Sequence, residues 1–267
     1  MKDKKLWIAG VVCGLICFFT GRETGTAIDL STVVSLAAFS AADYYPVNLA
    51  VLCRWFMPLL VFQILYGTYI YQHFCSASVY FFSRNHNRIK WFVKESLHLY
   101  ERSVAYLGCF LGCGIVVQAV TQGVTADAEG MILCIYYLAI HSLFLFTTTL
   151  AVNIISVKFS SSVGFVVVMA VNALGIACYS MFGQIAEDKN WDVTEHVWMM
   201  KVNPLAHLVF PVHSSRWQAL DEIINVNGFS FDLDMSLSVF LAAAFILTFS
   251  GCVICERHEF IINNREI

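Results

Sequence analysis

The chain has 267 residues, 58 % of them hydrophobic and only 13 % charged, with a mean hydropathy of +0.69 and a formal net charge of -3. A soluble domain carries about 25 % charged residues, so this composition excludes one and indicates an integral membrane protein. A net charge near zero gives no ground for a nucleic-acid partner; the information lies in where the charges fall.

Lys2, Lys4 and Lys5 precede a first apolar run, 6–20, with Trp7 at one interface. It is short for a span and superficially resembles a signal peptide, but no small-residue cleavage pattern closes it cleanly, and it is read as the first span. Residues 21–46 hold Arg22, Glu23, Asp29 and Asp43 around a weakly apolar core. An interfacial or re-entrant helix capped by Asp29 or Ser31 fits them better than a crossing.

The second span is 47–70, with Pro58 expected to kink it and Arg54 about two turns from its outer end. An intramembrane arginine is costly. Arg54 either snorkels or pairs structurally, or it lines a substrate pathway.

A basic amphipathic insert, 71–102, follows. It holds Arg84, Arg88, Lys90, Lys94 and Arg102, five of the sixteen Lys and Arg residues, against Glu95 and Glu101. Phe74, Val79, Phe82, Ile89, Phe92 and Val93 recur at spacings that present an apolar face to the membrane or to a partner groove. The insert serves either to dock a partner or to anchor on anionic lipid.

The third span, 104–120, carries Gly108 and Gly112 four apart, a spacing that allows close helix approach. The fourth, 131–155, contains His141, Thr147, Thr148, Thr149 and Asn153. These either make packing hydrogen bonds or form a polar translocation surface. Span five, 163–182, holds Asn172, the long polar segment 184–234 follows, and span six is 235–255.

Within 184–234, His196, His207 and His213 match no standard metal spacing and are weighed as surface or packing residues. Asp232 and Asp234 are expected to hold the start of the last span in water. Nine of the ten cysteines lie in apolar segments and Cys75 lies in the insert, as expected of small packing residues.

With six spans and both termini inside, eleven Lys and Arg fall on inner segments (2, 4, 5, 84, 88, 90, 94, 102, 158, 257, 265) and four on outer ones (22, 189, 201, 216). The positive-inside rule then places the insert in the cytoplasm. The expected fold is an all-α integral membrane protein, 1–267 as a single domain, with an amphipathic coupling helix between spans two and three. No GxxxxGK[ST] loop, HExxH pair or GxSxG elbow occurs, so no catalytic, metal or cofactor site is assigned.

Six expected spans in 267 residues, the insert between the second and third, and Asn203-Pro204-Leu205 before the sixth resemble the membrane (permease) subunit of type-2 ABC transporters. The segment Gln72-His73-Phe74, then Cys75-Ser76-Ala77-Ser78, then VYFFSRNHNRIKWFVKE is similar to that family's coupling segment. It departs from the pattern in lacking an acid at Gln72 or His73 and in having Ala77 in place of the usual glycine.

The resemblance implies a non-enzymatic permease in a cell membrane, the bacterial cytoplasmic membrane. It implies a separate ATP-binding subunit carrying ATP and Mg, and a second permease copy or homologue. It also implies export of a peptide, lipid or other amphipathic compound. Gln72, His73, Phe74, Ser76, Ser78, Tyr80, Arg84 and Arg88 become the ATPase-coupling residues, and Arg54, His141, Asn153 and Asn172 the candidate substrate pathway. The alternatives are an immunity or sensing protein without transport activity and a membrane-embedded enzyme.

Overall fold

The computed structural model describes residues 2–19, 27–38, 49–80, 87–188, 197–225, 228 and 230–257. Ten α-helices are described: α1 (Lys2–Phe19), α2 (Leu30–Ala37), α3 (Leu49–Tyr66), α4 (Tyr69–Tyr80), α5 (Arg88–Thr121), α6 (Ala128–Lys158), α7 (Ser161–Asp188), α8 (Val197–Val202), α9 (Gln218–Ile224) and α10 (Leu233–Arg257). Two short 3-10 turns, Ala206–Leu208 and Phe210–Val212, lie between α8 and α9. A two-residue parallel pair joins β1 (Ile28–Asp29) to β2 (Val124–Thr125).

Helix starts follow local side-chain chemistry. Asn87 accepts from Lys90 N at 2.9 Å at the start of α5, Ser160 accepts from Val163 N at 3.3 Å at α7, and Asp232 accepts from Asp234 N at 3.0 Å at α10. Each satisfies a donor the first helical turn leaves open.

Four helices, α5, α6, α7 and α10, are long and apolar enough to cross a membrane. At 34 residues α5 is about 50 Å long, well beyond the roughly 30 Å hydrocarbon core. Its basic first half therefore projects past any bilayer that holds its second half. Helix α6 is the central element: 61 % of its apolar window is buried, against 11 % for α7 and for α10. The outer faces of α7 and α10 are left apolar, as at Leu174, Phe245, Ile246 and Phe249. Such contiguous exposure suits lipid and not water. Helix α1, with Lys2, Asp3, Lys4 and Lys5 in its 18 residues, is not among these four.

The close helix approach lies elsewhere than Gly108 and Gly112, which face open space. It is made by Gly10 and Gly14 of α1, where an added Cβ would stand 2.8 Å from the carbonyl oxygens of Tyr106 and Phe110 respectively. Each would also lie 2.9 Å from the Cβ of Cys109 or Cys113. Cysteines therefore supply α5's small surface, and glycines supply α1's. Tyr106 extends this seam to α3 by donating to the Pro58 carbonyl at 2.8 Å.

Helix α2 falls within the segment read as interfacial or re-entrant. Eight residues give it about 12 Å, too short to cross. Val33 and Val34 are fully buried against the α5 and α6 end of the bundle. The expected caps are corrected, since neither Asp29 nor Ser31 caps α2 with its side chain. Asp127, from the loop before α6, does so instead. Its Oδ1 accepts from Ser31 N at 3.1 Å, and its Oδ2 accepts from Gly130 N at 2.9 Å. One carboxylate thus starts two helices, with Thr125 donating its hydroxyl to Asp29 alongside.

Candidate functional site

The expected second span ends at an elbow, Gly67-Thr68, where Gly67 N donates to Gln63 O at 2.6 Å and Gln72 N to Thr68 O at 2.8 Å. The chain then resumes as α4. The insert is therefore two helices, α4 and the basic start of α5, and its apolar residues do not share one face. Phe74 and Phe92 are buried whereas Ile89 and Val93 are exposed, because Phe74 stacks on Trp91 across the two helices at 5.7 Å. The side chain of Val79 and residue Phe82 lie outside the described residues.

Two further contacts fasten α4 to α5, through His73 and through Tyr69. His73 Nδ1 donates to Glu95 Oε2 at 3.3 Å, and its ring lies 4.2 Å from that of Tyr69. The guanidinium of Arg102 sits 4.2 Å from the Tyr69 ring centre and 5.4 Å from that of Tyr66. A cation over an aromatic face contributes about 1 kcal/mol, more where water is excluded. Gln72 turns its amide to Thr68 Oγ1 at 3.0 Å and remains exposed.

The elbow is fixed to the bundle by α6. Asn153, buried, accepts from Tyr71 N at 2.9 Å and donates from Nδ2 to Thr149 O at 2.8 Å. Both ends of its amide are thereby engaged, so a residue grouped with the substrate pathway serves the first turn of α4. Eight residues before Tyr71, on α3, Gln63 donates to Thr148 Oγ1 at 2.9 Å, a role the sequence reading missed. The available signal was a lone glutamine inside an apolar run.

Arg88 begins α5 and is half-buried beside the last turn of α10, where its charge is felt by Cys255. In the same place Phe92 packs against Gly251. Arg54, Ser76, Ser78 and Tyr80 stand on helical backbone, but their side chains lie outside the described ones, and Arg84 lies outside the described residues altogether. Asn172 is buried on α7 and takes part in none of these hydrogen bonds.

His141 belongs to a different place, twelve residues before Asn153 and about 18 Å along α6. Its Nδ1 donates to Tyr137 O at 3.2 Å and its ring stacks on Tyr137 at 4.1 Å, with Phe210 edge-on at 5.8 Å. His141 lies near the middle of α6. His207 and His213, weighed as surface or packing residues, are buried beside Ser236 near the start of α10, the end away from the basic one. The segment averages as polar, yet Leu205, Ala206, Leu208, Val209, Phe210 and Val212 carry it under α6 and α10.

His207 donates from Nε2 to Lys201 O at 2.9 Å, and His213 donates from Nδ1 to Val209 O at 2.7 Å. Those carbonyls fix both tautomers. The remaining nitrogens face Ser236 Oγ at 2.9 and 2.7 Å, so the single hydroxyl proton serves them in turn. Burial holds both imidazoles below their ordinary pKa, His213 at about 3. Just above them Arg216 reaches Asp232 at 3.6 Å and Asp234 at 3.3 Å, and Tyr136 donates to Asp234 at 2.7 Å. The two carboxylates are half-buried ion-pair partners and do more than keep a helix end in water.

His196 lies outside the described residues, and among those described no three His, Cys, Asp or Glu side chains converge as a metal site. Comparison with protein-family profiles, with characterised proteins and with solved structures gives no match.

Proposed function

We propose that this chain is the permease subunit of an ABC-type exporter, with six spans, both termini in the cytoplasm and ATP hydrolysed on a separate subunit. The observation that carries the reading is the joint built from α4, the basic start of α5 and Asn153. A force applied to α4 reaches α5 through His73–Glu95, Phe74–Trp91 and Arg102–Tyr69, and reaches α6 through Tyr71–Asn153. Helix α5 then conveys it along 34 continuous residues. Packed helices shift between discrete arrangements and do not deform smoothly, so a clamped elbow suits the transmission of a step.

In this reading the exposed basic groups Lys90 and Lys94, with Arg84 and Arg88, meet an acidic surface of the ATP-binding subunit. Export of an amphipathic compound by two such permease subunits follows from the resemblance stated above. Lipid anchoring alone would need the charges but not the buried clamp beneath them.

The test is co-purification of the full chain with a candidate ATP-binding subunit, using the wild type and the double variant Lys90→Glu, Lys94→Glu. Loss of the complex with retained folding supports docking through this end. Undiminished assembly and ATP turnover would refute it.

A further inference from the structure

Between α7 and α8 runs a groove of about 280 Å³ that neither the joint nor the histidine cluster uses. Its floor is fixed by Asn203, just past α8. The Asn203 amide donates to Gly175 O at 2.7 Å, and its oxygen accepts from Leu205 N at 3.1 Å, so both halves are engaged within the protein. Phe182 and Met200, both buried, form the back of the groove, and Met181, Ile185 and Met199 form its open rim. No charged side chain is among the described residues that line it. Such a groove offers water few polar partners and suits hydrocarbon. Its three methionines give it the adaptable walls that accept flexible apolar ligands.

The place of the groove in the bundle indicates what fills it. The apolar stretch of α7, Ser161–Phe182, has 22 residues and is about 33 Å long, close to the roughly 30 Å of a hydrocarbon core. Cys178 to Ile185 therefore fall at the membrane boundary, at the end away from the basic one. Trp198 of α8 is 59 % exposed there. Trp217, 61 % exposed, follows the Arg216 that meets the start of α10 at the same end. Exposed tryptophans at that depth mark the membrane–water interface. Leu174, Cys178, Met181 and Ile185 follow one another at helical spacing along one exposed stripe of α7. The rim is thus continuous with the face that meets lipid. Lys201, the one basic residue of α8, supplies a positive charge at the level of phosphate head groups.

We infer that this groove holds an acyl chain of a membrane phospholipid, with its phosphate at the level of Trp198 and Lys201, and that the chain wedges α8 against α7. Such binding needs α7 to cross a bilayer but no ATP-binding subunit, and so lies beyond the export function proposed above.

The test uses the full chain in phosphatidylcholine nanodiscs doped with a phosphatidylcholine that carries a diazirine in the upper part of one acyl chain. After irradiation, peptide mapping by mass spectrometry reads the label at Met181 and Met199 in the groove and at Ile135, near the start of α6 on the open lipid face. A held chain should label Met199, 39 % exposed, more strongly than Ile135, 69 % exposed. Cys178→Trp fills the groove and should abolish the label at Met199, while unchanged label at Ile135 reports a retained fold. Met199→Trp fills the same space from the other wall and should abolish the label at Met181. Labelling that simply follows exposure, strongest at Ile135, would reduce the groove to ordinary lipid contact and overturn the proposal. Label that survives either filling would do the same. So would a groove left unlabelled in a cross-linkable dimer, which would seat a second copy there. None of these results alters co-purification with an ATP-binding subunit, so the two proposals fail separately.

Discussion

Asn153 of α6 accepts a hydrogen bond from the backbone N–H of Tyr71 at 2.9 Å, and so ties the elbow between α3 and α4 to the most buried helix of the bundle. Replacing it by leucine leaves the Tyr71 donor without its acceptor in a half-buried position, a loss of about 1–3 kcal/mol. Asn153→Leu should lower the thermal midpoint in detergent and accelerate amide exchange at Tyr71 and Gln72 more than in α7. Uniform acceleration across the chain would mean that the bond serves global stability alone. Under the proposed function the variant should also bind the ATP-binding subunit normally while stimulating it less.

Asp127 carries the starts of both α2 and α6. Burial opposes ionisation of its carboxyl, but hydrogen bonds from the Ser31 hydroxyl, Ser31 N and Gly130 N together outweigh it and hold the pKa below the ordinary carboxylate value. A group with a depressed folded pKa contributes stability above its unfolded pKa, about 3.9, and loses it as pH falls through the folded value. Asp127→Ala should therefore destabilise at pH 7 by about 1–2 kcal/mol, and the difference from wild type should shrink in acid. A difference that stays constant to pH 3 would contradict the assignment.

His207 and His213 give the opposite end its own pH response. Burial is the largest cause in both and holds the folded values below the unfolded value of about 6.5, with His213 at about 3. The unfolded chain takes up protons that the folded one refuses, so stability is full above pH 6.5 and falls below it by up to about 1.4 kcal/mol per pH unit for each histidine. The facing groups are His141 on α6, Ser236 and Asp234 on α10, and Arg216 and Asp232 in the segment before it. Thermal midpoints at pH 7.5 and 5.0 should differ more in wild type than in His213→Gln. A midpoint that rises on acidification would show a proton held in the folded state.

Gly10 and Gly14 are expected to be far less tolerant than Gly108 and Gly112. Gly14→Leu forces α1 away from α5 and should cost about 1–3 kcal/mol, as overpacking does, whereas Gly112→Leu meets open space. Paired thermal unfolding curves decide this. Equal losses would place a further packing partner on the Gly108 and Gly112 face.

Part of this architecture was legible because hydropathy acts locally: the apolar runs 104–120, 131–155, 163–182 and 235–255 fall within α5, α6, α7 and α10. That α5 starts at Arg88 and joins the basic end of the insert to the third apolar run in one helix was not read from the pattern. The rest depended on which surfaces meet. Gly108 and Gly112 carry the same spacing as Gly10 and Gly14, and the pattern alone does not say which pair finds a neighbour. His207 and His213 sit in a stretch that averages as polar, so their burial follows from Leu205, Leu208 and Phe210 reaching the core. Asn153 and the insert were assigned to separate roles because 82 residues separate Asn153 from Tyr71. No pattern in the sequence announces that long-range bond.

Two exposed cysteines already present in the chain test docking of a partner through α4. Cys75 lies on α4, and Cys178 lies on α7, seventeen residues beyond its start. Each is retained singly, in variants with the remaining cysteines replaced by alanine or serine. The chain is then mixed with a candidate ATP-binding subunit of the kind proposed above and treated with a short thiol-to-amine cross-linker. A cross-linked species that depends on Cys75 and is absent with Cys178 alone is expected. A cross-link through Cys178 alone, or none through Cys75 in an intact complex, would contradict it.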